Sequence, residues 1–239
     1  DLQVRSGEVV GLAGVSGNGQ RELMWALSGE DTRAPAAAIT LAGQGVGHWA
    51  PRARRSLGLH FVPEERLGRG AVPSMSLAHN LLLTRSEALG AGGWIRMGAL
   101  ADQARSIIDR FKVKASGPDA AARSLSGGNL QKFIVGREIS AAPKLLIVSQ
   151  PTWGVDVGAA AQIRAEILAL RDAGCAVLVV SEELEELFEI SDRLHVIAKG
   201  RLSPSLPRAE ATVERIGEWM SGLWPAQSAM AQGVQHAQA

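Results

Sequence analysis

Gly14-Val15-Ser16-Gly17-Asn18-Gly19-Gln20-Arg21 sets a Gly-x4-Gly spacing between a short apolar run and a helically spaced segment. A loop of that spacing presents backbone N–H groups and a helix N-terminus to an anion, the arrangement of a phosphate-binding loop. Hydrolysis needs more: a lysine on the β- and γ-phosphates and a Ser or Thr hydroxyl on Mg2+. Gln20 and Arg21 hold those two positions. Gln20 can donate a hydrogen bond but carries no charge, and a unit charge pair roughly 4 Å apart is worth about 4 kcal/mol at an effective dielectric of about 20. Arg21 restores positive charge but has no lone pair for a metal. Gly17-Asn18-Gly19 lacks the third glycine that a dinucleotide loop requires.

Two further clusters carry chemistry. Leu145–Val148 reads as a buried strand and runs into Ser149-Gln150-Pro151-Thr152. An acidic pair at such a strand end would support Mg2+ and polarise the attacking water. Ser149 and Gln150 stand there instead, and an amide cannot take a proton from water at neutral pH. With both metal positions and the base changed together, the site is expected to be retired from hydrolysis. By contrast, Ser124-Leu125-Ser126-Gly127-Gly128-Asn129-Leu130-Gln131-Lys132 opens a helix predicted over Leu130–Ile139. Its N–H groups and the helix dipole make a second anion site that glycine lets a ligand approach closely. The same residues also read as a plain N-cap and turn.

The elements that must position these clusters alternate. Strands are predicted at Glu8–Ala13, Leu57–Val62, Lys144–Val148, Ala176–Ser181 and Arg193–Ala198, with a weak one at Ala38–Leu41. Helical periodicity covers Arg21–Leu27, Ala99–Phe111, Leu130–Ile139, Ala160–Arg171 and Ala211–Met220. Buried strands alternating with helices predict an α/β fold, a largely parallel sheet covered on both faces. The boundaries read as core over 1–71, a helical subdomain over 72–139, core again over 140–224, and a disordered Ala/Gln tail over 225–239.

Composition narrows the class. With 239 residues and 46% hydrophobic content, one large domain is within reach, and the net charge of +1 gives no pull toward nucleic acid or anionic lipid. Cys175 is the sole cysteine, so no disulfide framework or thiolate cluster is available; it reads as a buried thiol in a reducing compartment. No apolar run reaches the ~20 residues of a membrane span. The absence of an initiating methionine suggests a piece of a larger chain. His195 reads as packed or surface, Glu182–Glu189 as the solvated face of an amphipathic helix, and Arg52, Arg54 and Arg55 as a solvated loop. Trp94 is a candidate for a groove that receives a partner's helix, or for core packing.

Taken together, Ser124–Lys132, Gln150-Pro-Thr-Trp-Gly-Val-Asp-Val-Gly158 and Pro63-Glu-Glu-Arg66 resemble the second, C-terminal nucleotide-binding domain of the duplicated ATPase subunit of sugar and nucleoside ABC importers. Gly14–Arg21 and Gln150-Pro-Thr are closer to the basic-membrane-protein or nucleoside branch. The likeness runs from Asp1 to Gly222. It implies a P-loop ATPase core with a mainly parallel sheet, an antiparallel β part near the N-terminus, and the helical subdomain. It also implies that the family's first strand, with its adenine-stacking aromatic, lies before Asp1; the chain has no tyrosine and no Phe or Trp at that place, so adenine stacking is expected to be missing or provided by residues outside this chain.

Residue by residue, the resemblance implies that Gly14, Val15, Ser16, Gly17, Asn18, Gly19, Gln20 and Arg21 form the nucleotide loop. Glu64 would be the residue that senses Mg2+ and the permease, Gln150 would hold the base position, and Glu182 the switch-histidine position. Leu125, Ser126, Gly127, Gly128 and Asn129 would be the signature, donated to ATP held by a partner domain. Trp153, Gly154, Val155 and Asp156 would form the loop that crosses to that partner. ATP would be weakly held or unhydrolysed at this chain's own site, with Mg2+ at the partner's. The expected partners are the N-terminal nucleotide-binding domain or a second copy, and transmembrane permease subunits coupled through Val72–Met97. Nucleic acid is not among them. The expected location is the cytoplasmic face of the plasma membrane. Two other readings stay open: an active ATPase with a rearranged site using Arg21, and a structural or regulatory module that binds no nucleotide.

Overall fold

The computed structural model describes residues 1–85 and 95–225; Trp94 and the tail after Pro225 lie outside them. The sheet is built from β1 (Val9–Ala13), β4 (Leu59–Val62), β5 (Leu145–Ser149), β6 (Ala176–Ser181) and β7 (Arg193–Ala198), with short β8 (Arg201–Leu202) and β9 (Leu206–Pro207) at one edge. The order is β4-β5-β6-β1-β7-β8, with β9 also on β7; the first five strands are parallel and β8 and β9 antiparallel. A separate antiparallel pair, β2 (Thr40–Leu41) and β3 (Gln44–Gly45), lies toward the N-terminus.

Strand burial explains why the central strands read as continuous apolar runs. In β1, Val9 and Ala13 join one core while Val10 and Leu12 join another; β6 splits likewise, Val177 and Val179 against Leu178 and Val180. Side chains alternate across a strand, so a strand covered on both faces must be apolar at every position. The first core takes in α3 (Leu77–Leu82), α4 (Met97–Arg110), α5 (Gly127–Ile139), α6 (Val157–Asp172), α7 (Leu184–Ile190) and α8 (Val213–Met220). The second lies under α1 (Gln20–Ser28) and the β2–β3 hairpin. Every residue of α5 from Leu130 to Ile139 is buried, including the polar Gln131, Lys132, Arg137 and Glu138.

The sheet register fixes the functional loops. Ala13 pairs with Ser181, Ser149 with Val180, and Val62 with Val148. The loops after β1, β6, β5 and β4 therefore emerge together at the carboxyl edge, where open α/β sheets bind ligands.

Two expectations are corrected. Arg54, in α2 (Pro51–Ser56), is fully buried rather than solvated, donating to Trp49 O at 2.9 Å, Leu27 O at 2.8 Å and Gly47 O at 3.0 Å. It closes the orphan carbonyls at the C-terminal end of α1. Arg55 reaches the buried Glu138 at 2.8 Å. Within the acidic stretch 182–189, Glu186 is only 2% exposed, so that helix face is not wholly solvated. His195 is buried, with Nδ1 3.0 Å from Ser203 O, and burial holds its pKa below the usual value.

Candidate functional site

The glycine loop runs from β1 into α1, whose N-cap, Gly19, sits at φ 107° with no capping side chain. Gly14 is required by space: a Cβ there would lie 2.8 Å from Ile197 O and 2.6 Å from Gln20 Nε2. Asn18 pins the loop to the β7–β8 turn, accepting from Lys199 N at 2.9 Å through its side chain and from Gly200 N at 2.9 Å through its carbonyl. Gln20 does not reach outward. Its Nε2 donates to Val15 O at 2.7 Å, and its Oε1 accepts from Asn18 N at 3.1 Å. The Ser16 amide donates to Glu182 Oε1 at 2.7 Å. Two loop N–H groups are therefore engaged by side chains of the chain itself.

Around the loop lies a cleft of about 160 Å³, lined by Gly14, Ser16, Gly17, Gln20, Arg21, Glu22, Glu64, Ser149, Gln150, Val180, Ser181 and Glu182. Gln150 occupies the left-handed region at φ 51°, a conformation a non-glycine residue adopts at a cost of roughly 1–2 kcal/mol. It is held there by its N–H on Val180 O at 2.8 Å and by Gln131 Nε2 on its carbonyl at 3.1 Å. Its side-chain oxygen accepts from Ser181 Oγ and from Glu182 N, each at 3.3 Å. The amide is thus spent on positioning the 181–182 segment.

These residues do not fit Mg2+. That ion takes carboxylate and phosphate oxygens in octahedral geometry. The matching positions offer the guanidinium of Arg21, the hydroxyl of Ser149 and the amide of Gln150. Among the described residues, no group of three or more His, Cys, Asp or Glu side chains is placed to hold a metal.

The Leu125–Asn129 segment lies elsewhere: none of its residues lines the cleft. Ser126 caps α5, accepting from Asn129 N at 3.4 Å and Asn129 Nδ2 at 2.8 Å, while Asn129 Oδ1 accepts from Lys114 N at 2.8 Å. Ser126 and Gly127 are exposed. First-turn N–H groups have no intrahelical acceptor; Ser126 takes that of Asn129, which leaves those of Gly127 and Gly128 at this partly exposed helix end. Gly128 packs on the Trp153–Asp156 loop so closely that a Cβ would lie 2.7 Å from Gly154 O. Asp156 caps α6, accepting from Ala159 N at 2.9 Å, and that bond lowers its carboxyl pKa. Trp153 is 55% exposed.

Arg66 joins the two. It stacks 5.3 Å from the Trp153 ring centroid, donates to Trp153 O, and bonds Gln131 Oε1 at 3.1 Å. Neither Arg66's partners nor the role of Gln131 is visible in the sequence, because the contacts span 65 and 87 residues. Glu186 is likewise unanticipated: beneath the cleft, beside Thr152 and Ser181, burial pushes its pKa up.

Residues 1–153 match the ABC transporter family. The chain is 42% identical over 226 residues to the glucose import ATP-binding protein TsgD13 of Haloferax volcanii, covering 93% of this chain and 41% of that protein. It is 39% identical over 234 residues to the guanosine import ATP-binding protein NupO of Bacillus subtilis, covering 97% and 46% respectively. The chain thus spans less than half the length of these curated relatives. A dimeric ATP-binding cassette solved in a post-hydrolysis state with ADP and Pi aligns with TM-score 0.72 at 18% identity over 87% of this chain and 88% of that one, a likeness of fold.

Proposed function

The chain belongs to the ABC transporter family, and on that premise we propose that it is the C-terminal nucleotide-binding domain of a sugar or nucleoside importer's duplicated ATPase subunit. Its length, about two-fifths to just under half of the relatives', and their printed roles in glucose and guanosine import support this reading. The basic-membrane-protein or nucleoside branch is favoured by Gly14–Arg21 and Gln150-Pro-Thr. Its own site is degenerate: Gln20, Arg21, Ser149, Gln150 and Glu182 supply neither a metal shell nor a base.

One observation carries the proposal. The end of α5 at Ser126–Asn129, exposed at Ser126 and Gly127, stands apart from the chain's own cleft, and its Gly127 and Gly128 N–H groups would meet an anion supplied by another domain. In a head-to-tail pair, those groups and the α5 dipole would face the γ-phosphate bound by the partner. Gly128 and Arg66 hold the Trp153–Asp156 loop beside them. Mg2+, when bound at the partner's site, neutralises phosphate charge there. Glu64, at the cleft rim, and the 72–97 region would couple closure to permease subunits at the cytoplasmic membrane face. Among the described residues no helix is long and apolar enough to cross a membrane.

The test is a pair of substitutions in the full polypeptide. Ser126→Arg is expected to abolish ATP turnover, and Gln150→Ala to leave it within about twofold, a change worth under 1 kcal/mol. Wild-type turnover by Ser126→Arg would refute the donor role.

A further inference from the structure

The Ser16 amide, in the middle of the glycine loop, is bonded to the chain's own Glu182 carboxylate at 2.7 Å. A hydrogen bond from backbone N–H to an ionised oxygen is of the strong, charge-assisted kind, and it is the bond such a loop makes to a phosphate oxygen. The contact is built from both sides. Glu182 follows Ser181, which is 1% exposed and in register with Ala13, so the ends of β6 and β1 sit side by side. Gln150 Oε1 takes both Ser181 Oγ and Glu182 N, fixing the backbone from which the carboxylate projects. On the loop side, Gln20 bridges Val15 O and Asn18 N, and Asn18 is gripped by Lys199 and Gly200. Gln150, Glu182 and Gln20 are three of the changed positions of the degenerate site: Gln20 bridges the loop internally, Glu182 bonds it, and Gln150 positions Glu182.

We propose that the glycine loop is self-occluded: the Glu182 carboxylate occupies the anion position of the loop as an internal stand-in for a phosphate oxygen. This rests on reading Gly14–Arg21 as a nucleotide loop and goes further. The degenerate site is held shut by a built contact and does not merely lack catalytic groups. A phosphoryl ligand must displace Glu182 and then lie beside its charge. Through Glu182 and Asn18 the loop is tied to the ends of β6 and β7.

The experiment measures binding of inorganic pyrophosphate and of ATP to the 239-residue chain by titration calorimetry, for wild type, Glu182→Ala and Glu182→Gln. Removing a like charge at close range should tighten pyrophosphate binding by about tenfold or more in Glu182→Ala. Glu182→Gln should fall between, since it keeps an acceptor for the Ser16 amide without the charge. Wild-type pyrophosphate affinity in folded variants would overturn the proposal. So would a gain for ATP with none for pyrophosphate, which would place the effect at the nucleoside. Hydrogen exchange at the Ser16 amide gives a readout in the wild type alone: protection is expected, and exchange at the rate of a free loop would refute the contact. None of these outcomes bears on Ser126, whose donor role is read from the partner's turnover.

Discussion

Glu138 lies fully buried in the last turn of α5, where Arg137 Nε, Arg55 Nη1 and His60 Nδ1 each lie 2.8 Å from its oxygens. Burial alone would raise its pKa, but the Arg137 charge, the His60 hydrogen bond and the Arg55 charge outweigh it and hold the carboxyl far below its usual 4.5. A carboxyl depressed in the folded state contributes stability that is present above its unfolded pKa and lost as pH falls below it. Glu138→Ala should therefore cost about 3–5 kcal/mol at neutral pH, because it leaves buried guanidinium groups uncompensated. In urea denaturation series, the gap to wild type should narrow progressively below about pH 4.5. A gap independent of pH would show that packing, and not charge, sets the cost. None of this network was legible in the sequence. Arg54 and Arg55 look like any arginine-rich loop until the chain brings carbonyls and a carboxylate from elsewhere to meet them. The identities at Gln20, Arg21, Ser149, Gln150 and Glu182 could be read directly, because they are substitutions within spaced motifs. The bond between Ser16 and Glu182 could not, because it joins residues 166 apart through the β1–β6 register.

At the scale of elements, the strands that pack on both faces were the most legible. Ala176–Ser181 and Arg193–Ala198 fold over the spans their apolar runs predict. The N-terminal region was the least: its weak strand resolves into a 3-10 turn at Ala36–Ala38 and two-residue strands, too short to leave a period in the sequence. Glycines separate local from tertiary demands. Among the described residues, a Cβ at Gly98 in α4 would meet nothing within 4 Å, whereas one at Gly128 would meet the Gly154 carbonyl at 2.7 Å. Gly98→Ala should stabilise the chain by about 0.5–1 kcal/mol, the backbone entropy that glycine loses. Gly128→Ala should destabilise it by about 1–3 kcal/mol, the usual cost of overpacking. Thermal or chemical denaturation of the two variants checks both signs. Equal effects would mean that α5 does not rest on the 153–156 loop as described.

For the whole molecule, the glycine-loop cleft and the start of α5 are two separate features, which the proposed function assigns to different sites. The carboxyl edge of the sheet gathers the glycine loop, Glu64, Ser149, Gln150 and Glu182 into a small cleft closed by the chain's own side chains. The exposed start of α5 points its amides outward, braced by Arg66, Gln131 and the Trp153 loop. On the proposed reading, the cleft does not turn over ATP and the α5 end serves another domain, so the chain is half of a composite site. The most direct measurement is Mg2+-dependent ATP turnover by the partner nucleotide-binding domain as this chain is titrated in. Wild-type chain should raise the partner's turnover to a plateau, while Ser126→Arg should leave it at the partner's own basal rate and the chain alone should hydrolyse nothing. Equal stimulation by Ser126→Arg, or turnover by the chain alone that disappears on changing Arg21, would contradict the account.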